Sequence, residues 1–137
     1  MKITICGSMV FSEKMLELKV KLEKTGHVCF VSDFIENYVG KNESEKIRLI
    51  IRNKNENEAI REFWNKINNS DAILVLNFDR KGIKNYIGGN TLMEIGFAHV
   101  LGKKIFLLNP VPEIDFYKSE IEATKPVIIN GDLSKIV

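Results

Sequence analysis

At 137 residues, 45% hydrophobic and 28% charged, the chain has the composition of an ordinary globular domain with enough length to bury a core. A net charge of +2 gives no reason to expect a dedicated nucleic-acid or anionic-membrane surface. No apolar run approaches the roughly 20 residues of a membrane span, and Cys6 and Cys29 are too few for a disulfide scaffold. Met1 to Cys6 runs straight into a strand-like segment without the cleavage pattern of a signal peptide. The expectations are one domain over residues 1–137, a cytoplasmic setting and no metal, since neither Cys-x-x-Cys nor a histidine-rich spacing accompanies the cysteines.

Ile3 to Cys6 reads as a short buried strand that breaks at Gly7-Ser8. Ser12 stands where it would cap a helix in which Phe11, Met15, Leu18 and Leu22 recur at helical spacing, with Gly26 as its stop. His27 to Val31 is a second strand. From Asn37 to Asn69 the composition turns charged and asparagine-rich. Ile47, Ile50 and Ile51 mark one helical face there, and Ile60, Phe63, Trp64 and Ile67 another. The segment therefore predicts two helices, or one bent near Arg52 to Asn55, covering a sheet face. Phe63 and Trp64 read as core, with an aromatic of that helix lining a base pocket as the second reading. Arg48, Arg52, Lys54 and Arg61 read as a solvated face, with reach to an anionic ligand as the second reading.

Ala72 to Leu76 is a continuous apolar run, the pattern of a strand covered on both faces. Gly88 to Lys104 follows a loop and organises the chain: two glycines, an Asn-Thr step, a largely apolar helix and Gly102 at its C-terminal cap. Lys104 to Leu108 is another strand, ending at Asn109-Pro110. Phe116 to Ala123 reads as a short helix and Val127 to Ile129 as a last strand.

Strands alternating with helices predict an α/β domain with a five-stranded, mainly parallel, doubly wound sheet. Ligands of such sheets bind beyond the carboxyl ends of the strands. Gly7-Ser8, Asn77 to Asp79, Gly88 to Glu94 and Asn109 all fall at those ends. Asp71 opens the third strand, about 20 Å from that edge at 3.3 Å per residue, so it is expected to be structural.

Glu94 is a carboxylate in an otherwise apolar helix. Thr91-x-x-Glu94 matches a capping box. Against that reading, the two preceding glycines exceed what a cap needs, and Gly96 costs about 1 kcal/mol in a helix unless close approach demands it. The ligand-facing reading of Glu94 is therefore preferred. Gly7-Ser8 offers backbone N–H groups and a hydroxyl to a phosphate or sugar, although a plain turn would look the same. His99 lies about 140° round the helix from Glu94 and reads as a core or helix-end residue. Neither a G-x-G-x-x-G fingerprint nor a phosphate-binding G-x-x-x-x-G-K-[ST] run is present.

Ile5-Cys6-Gly7-Ser8, Ser70-Asp71-Ala72-Ile73-Leu74-Val75 and Gly89-Asn90-Thr91-x-x-Glu94-Ile95-Gly96-x-Ala98-x-x-x-Gly102-Lys103 together resemble the nucleoside 2-deoxyribosyltransferase superfamily, which includes deoxynucleoside monophosphate N-glycosidases. The resemblance implies a flavodoxin-like, Rossmann-like three-layer fold and a homodimer or higher homo-oligomer. It makes Glu94 the nucleophile that attacks the anomeric carbon of a nucleoside or nucleotide, held ionised by its helix N-terminus. Asp79 is the accompanying catalytic candidate, as an acid toward the leaving base. Gly7, Ser8, Asn77, Gly88, Gly89, Asn90, Thr91 and Asn109 form the expected substrate-binding set. No metal or organic cofactor, nucleic-acid polymer or membrane is implied. Thr4 stands where members often carry tyrosine, and Val10 where monophosphate glycosidases tend to carry arginine, which leaves the 5′-phosphate open. Hydrolysis and transfer to a second base are both left open. The alternatives are a non-catalytic nucleotide-binding module on the same fold and, more weakly, a flavin-binding protein.

Overall fold

The computed structural model describes residues 1–137. Its five strands are β1 (Lys2–Gly7), β2 (Val28–Phe30), β3 (Ala72–Leu76), β4 (Lys104–Leu107) and β5 (Val127–Ile128). They form one sheet in the order β2-β1-β3-β4-β5, every neighbouring pair parallel. That is the flavodoxin-like strand order, whose switch point lies between β1 and β3. Five helices connect and cover the strands: α1 (Ser12–Glu23), α2 (Glu43–Glu56), α3 (Ala59–Asn68), α4 (Gly89–Val100) and α5 (Lys118–Ala123).

The apolar run of β3 is explained by the two-residue period of a strand. Leu74 and Leu76 join Ile5, Met15 and Leu22 in the core on the α1 side. Ile73 and Val75 join Cys6, Phe63, Ile67, Ile95 and Ala98 on the side of α3 and α4. Each face of the sheet thus has its own core, and the central strand supplies both.

Several boundaries move for local reasons. The α2–α3 break falls at Asn57-Glu58, where Glu58 takes a left-handed φ of +53°, and not near Arg52 to Asn55. Asn53 is buried inside α2, donating to the Tyr38 hydroxyl at 2.8 Å and accepting from the Asn57 amide at 2.8 Å. A tertiary partner overrides its poor helix propensity. Ser12 is the first residue of α1 and not its cap; Ser8 caps the short 3₁₀ turn Met9–Phe11 that leads into it, accepting from Val10 N–H at 3.3 Å. Trp64 is 38% exposed, because α3 turns Phe63 and Ile67 to the sheet and leaves Ile60 and Trp64 outside. α5 begins at Lys118, leaving Phe116 exposed. Gly102 takes the left-handed conformation (φ +69°) as the end of α4 requires. Asp71 is structural: its carboxylate accepts from Lys2 N–H at 2.7 Å.

One ion pair anchors α2 to the start of α1. Lys46 is buried, and its ammonium donates to the Val10 carbonyl at 3.2 Å and to the Glu13 carboxylate. That contact holds the Glu13 carboxyl down at about 2. Glu13 is 48% exposed, so solvent screening trims its contribution. Removing it nevertheless strands a buried ammonium. Glu13→Ala is expected to cost about 1–2 kcal/mol at neutral pH by urea unfolding. Because the folded pKa lies below the ordinary 4.5, this stabilisation is present above about pH 4.5 and fades toward pH 2, so wild type and variant should converge in acid.

Candidate active site

The site starts where β1 ends. Gly7 has φ +147°, and a Cβ there would come within 3.0 Å of the Leu76 carbonyl oxygen and 3.3 Å of Met15 Cε. Only glycine lets β1 lie this close to β3 and turn out into Ser8. Across the switch point, the loop after β3 leads to α4. Gly88 is the N-cap of α4 with extended backbone, a Cβ on it would sit 3.0 Å from Tyr86 Oη, and no side chain caps the helix. No acidic residue occupies its first turn, so its leading N–H groups present an uncompensated positive end.

The capping box does not form. Thr91 lies inside α4 and Glu94 more than a turn along it. Glu94 is 5% exposed, its Oε2 is 3.5 Å from the Asn90 amide nitrogen, and its buried Oε1 has no partner. Burial pushes its pKa well above the carboxylate range, and the charge of Glu62 adds to the rise. This corrects the expectation that the helix end holds Glu94 ionised: the helix field fades beyond the first turn, and desolvation prevails. Gly96 also differs from expectation, since a Cβ there would meet nothing within 4 Å outside its own helix.

Gly7, Ser8, Gly88, Gly89, Asn90 and Thr91 come together around a cleft of about 240 Å³. Ile47, Ile50 and Ile51 of α2 form its apolar wall, and Lys54, Arg80, Lys81 and Tyr86 its rim. No carboxylate lines it. A narrow inner cavity of about 40 Å³ shares Gly7, Met9, Ile50, Lys54 and Asn90 with the cleft and reaches Glu94, beside Tyr38, Phe63 and Glu62. A larger recess of about 490 Å³ between β2 and α3 is lined almost wholly by polar side chains and by no residue of α4.

Three expected residues lie elsewhere. Asn77 is fully buried and clasps the chain after β4: its amide donates to the carbonyls of Asn109 (2.8 Å) and Pro110 (3.0 Å) and accepts from Asn109 N–H (2.9 Å). Asn109 returns a side-chain hydrogen bond to the Asn77 carbonyl at 3.1 Å. Both side chains are used in this contact and neither lines the cleft. Asp79 is exposed and accepts from Asn85 N–H at 2.8 Å, which closes its own loop. Its carboxyl is in neither cavity. Thr4 is buried against the Ser70 hydroxyl at 2.7 Å.

Arg80, Lys81, Tyr86 and Glu62 were not among the residues expected at the site. Arg80 stacks 5.7 Å from the Tyr86 ring centroid, makes one long contact to Glu43 at 3.4 Å and leaves its buried Nε unpartnered. The Lys81 ammonium lies 5.8 Å from the same ring. An Arg-Lys step in a loop carries no sequence signal until the fold brings it to a glycine-lined helix start. No cluster of three or more His, Cys, Asp or Glu side chains is arranged to hold a metal ion. No helix is long and apolar enough to cross a membrane.

Fold and site thus define an α/β protein whose cleft, at the switch point of a flavodoxin-like sheet, has cations at its rim and a buried carboxyl at its inner end. Among solved structures, the chain is similar to the CMP N-glycosidase BcmB of Clostridium botulinum, with a TM-score of 0.50 and 15% identity over 93% of this chain and 85% of that one. At that identity the likeness is one of fold. No protein-family model matches the sequence, and no curated protein sequence matches it significantly.

Proposed function

We propose that the protein cleaves the N-glycosidic bond of a nucleoside 5′-monophosphate, with Glu94 as nucleophile. The observation that carries this reading is the buried, unpartnered Oε1 of Glu94, a residue of the small cavity that adjoins the cleft. The fold, shared with an N-glycosidase of CMP, supports the same chemistry. As a carboxylate, Glu94 attacks C1′ while the C1′–N bond breaks and its electron pair leaves with the base. The positive charge that develops on the sugar favours the ionised carboxyl in a site that burial otherwise keeps neutral. Water then releases the sugar, or a second base accepts it.

The rim selects the phosphate. Lys54, Arg80 and Lys81 face a cleft with no carboxylate, beside the open N–H groups of Gly89 and Asn90. These cations come from α2 and the loop after β3, and so replace the arginine absent at Val10. The test is base release, followed by chromatography, from nucleosides and their 5′-monophosphates, with and without an added acceptor base. Paired Arg80→Ala and Lys81→Ala substitutions are expected to raise KM for the monophosphate by about tenfold to a hundredfold and to leave the unphosphorylated nucleoside unchanged. Equal losses on both substrates would rule out the phosphate reading.

The second reading is a nucleotide-binding module without turnover. The raised pKa of Glu94 favours it, since a neutral carboxyl is no nucleophile. Thermal stabilisation by monophosphates with no free base would decide for it.

A further inference from the structure

The inner cavity holds a second carboxyl group. Glu62 is 18% exposed, and one of its oxygens is fixed: Oε1 accepts from Asp33 N–H at 3.3 Å and faces the Lys66 ammonium at 3.3 Å. Lys66 is in turn held by the Asp33 carboxylate at 2.8 Å. The other oxygen, Oε2, is buried and has no partner. Glu62 and Glu94 line the same cavity of about 40 Å³, and each has one buried oxygen without a partner. Neither fold nor packing accounts for two residues of one cavity that each keep an unsatisfied carboxyl oxygen, since each costs about 1–3 kcal/mol.

We propose that Glu62 is the acid–base residue of the reaction, acting beside the nucleophile Glu94. The inference rests on the N-glycosidic reading above. A base departs poorly as an anion, so cleavage needs a proton donor beside the nucleophile, and reactions through a glycosyl-enzyme use two carboxyl groups in these roles. Two carboxyls lining one poorly solvated cavity do not both ionise readily, and once the positive charge developing on the sugar favours the Glu94 carboxylate, the proton is carried by Glu62. In the first step Glu94 Oε1 bonds to C1′, the C1′–N pair moves to the base nitrogen, and the proton on Glu62 Oε2 follows it. In the second step Glu62, now a carboxylate, takes a proton from water. That water's oxygen attacks C1′, and the ester C–O pair returns to Glu94. Asp79, exposed and committed to its loop, is replaced in this role.

Burial also raises the Glu62 pKa, in keeping with a proton donor. The groups around Glu62 are Lys66 and Asp33 at its fixed oxygen, and Glu94, Lys54 and Tyr38 around the cavity. Glu58 and Arg61 pair with each other on the solvent side.

The experiment compares wild type, Glu62→Gln and Lys66→Met on the monophosphate that wild type cleaves fastest and on p-nitrophenyl ribofuranoside 5-phosphate. The nitrophenolate of the second substrate leaves without being protonated. Glu62→Gln is expected to lose at least about a hundredfold in kcat on the nucleotide. Its first-turnover burst of nitrophenolate should change only a few-fold, and added azide should speed turnover of the trapped glycosyl-enzyme. Lys66→Met removes the cation that favours the Glu62 carboxylate, so the basic limb of the pH–rate profile should move to higher pH. Equal losses of the first turnover on both substrates, or a basic limb that stays in place in Lys66→Met, would overturn the proposal even if Glu62→Gln does not fold. The two readings separate cleanly. Wild type that releases no base sinks both, whereas base release that depends on Glu94 and is indifferent to Glu62 sinks only this one.

Discussion

Glu94→Gln is expected to abolish base release and to make the protein more stable at neutral pH. The loss of activity should reach at least about a thousandfold, because an amide cannot form the glycosyl ester. The gain in stability follows from burial. Glu94 is held in a protein interior where its charged form is disfavoured and one oxygen is unpartnered. Its folded pKa lies above the ordinary 4.5, so an unfolded chain gives up its proton before the folded one does. Wild-type stability therefore falls as pH rises from about 4.5 toward the folded value, and a neutral side chain escapes that decline. An advantage of about 1–3 kcal/mol at neutral pH, several degrees in Tm, is expected for the variant. Melting curves at pH 5 and pH 8 check it. A variant no more stable than wild type at pH 8 would mean that the carboxyl is better solvated than its surroundings imply.

Asn77→Ala should act in the opposite sense, destabilising the protein by about 3 kcal/mol. Asn77 is 0% exposed and joins the end of β3 to the chain after β4. Truncating it leaves the Asn109 N–H and the Asn109 and Pro110 carbonyls without their partner. The near-isosteric Asn77→Asp is expected to do comparable damage. A carboxylate has no hydrogen to offer two carbonyl oxygens, and it would be buried facing them. Urea unfolding at pH 7 measures both. An Asn77→Asp protein as stable as wild type would show that the clasp is not what holds these segments together. The amide at this position is set by the backbone it faces.

The sequence made the scaffold legible because its signals are local. Alternation within Ala72 to Leu76, the helical spacing of Phe63 and Ile67, and the left-handed Gly102 each depend on neighbours a few positions away. The register that put Asp71 at the far edge needed only the rise of a strand. Glu94 stood out as a carboxyl among apolar residues, and the structure does bury it with the glycines Gly7 and Gly89 nearby. Trp64 and Gly96 misled for the same local reason: periodicity names a helical face but not its width, and a helical glycine looks alike whether or not something presses on it.

By itself, then, the sequence determined the order of the elements, the edge of the sheet where a ligand can sit, and the one glutamate that the helix does not explain. The tertiary structure decided what each polar side chain is free to do. Asn77 and Asn109 are 32 positions apart and satisfy each other, which removes them from the cleft. Glu62 and Arg80 carry no local signal, yet each is left with a buried unpartnered atom once its distant neighbours have packed. Hydrogen bonding and ionisation depend on solvent access and on partners far along the chain, and those exist only after the chain has folded.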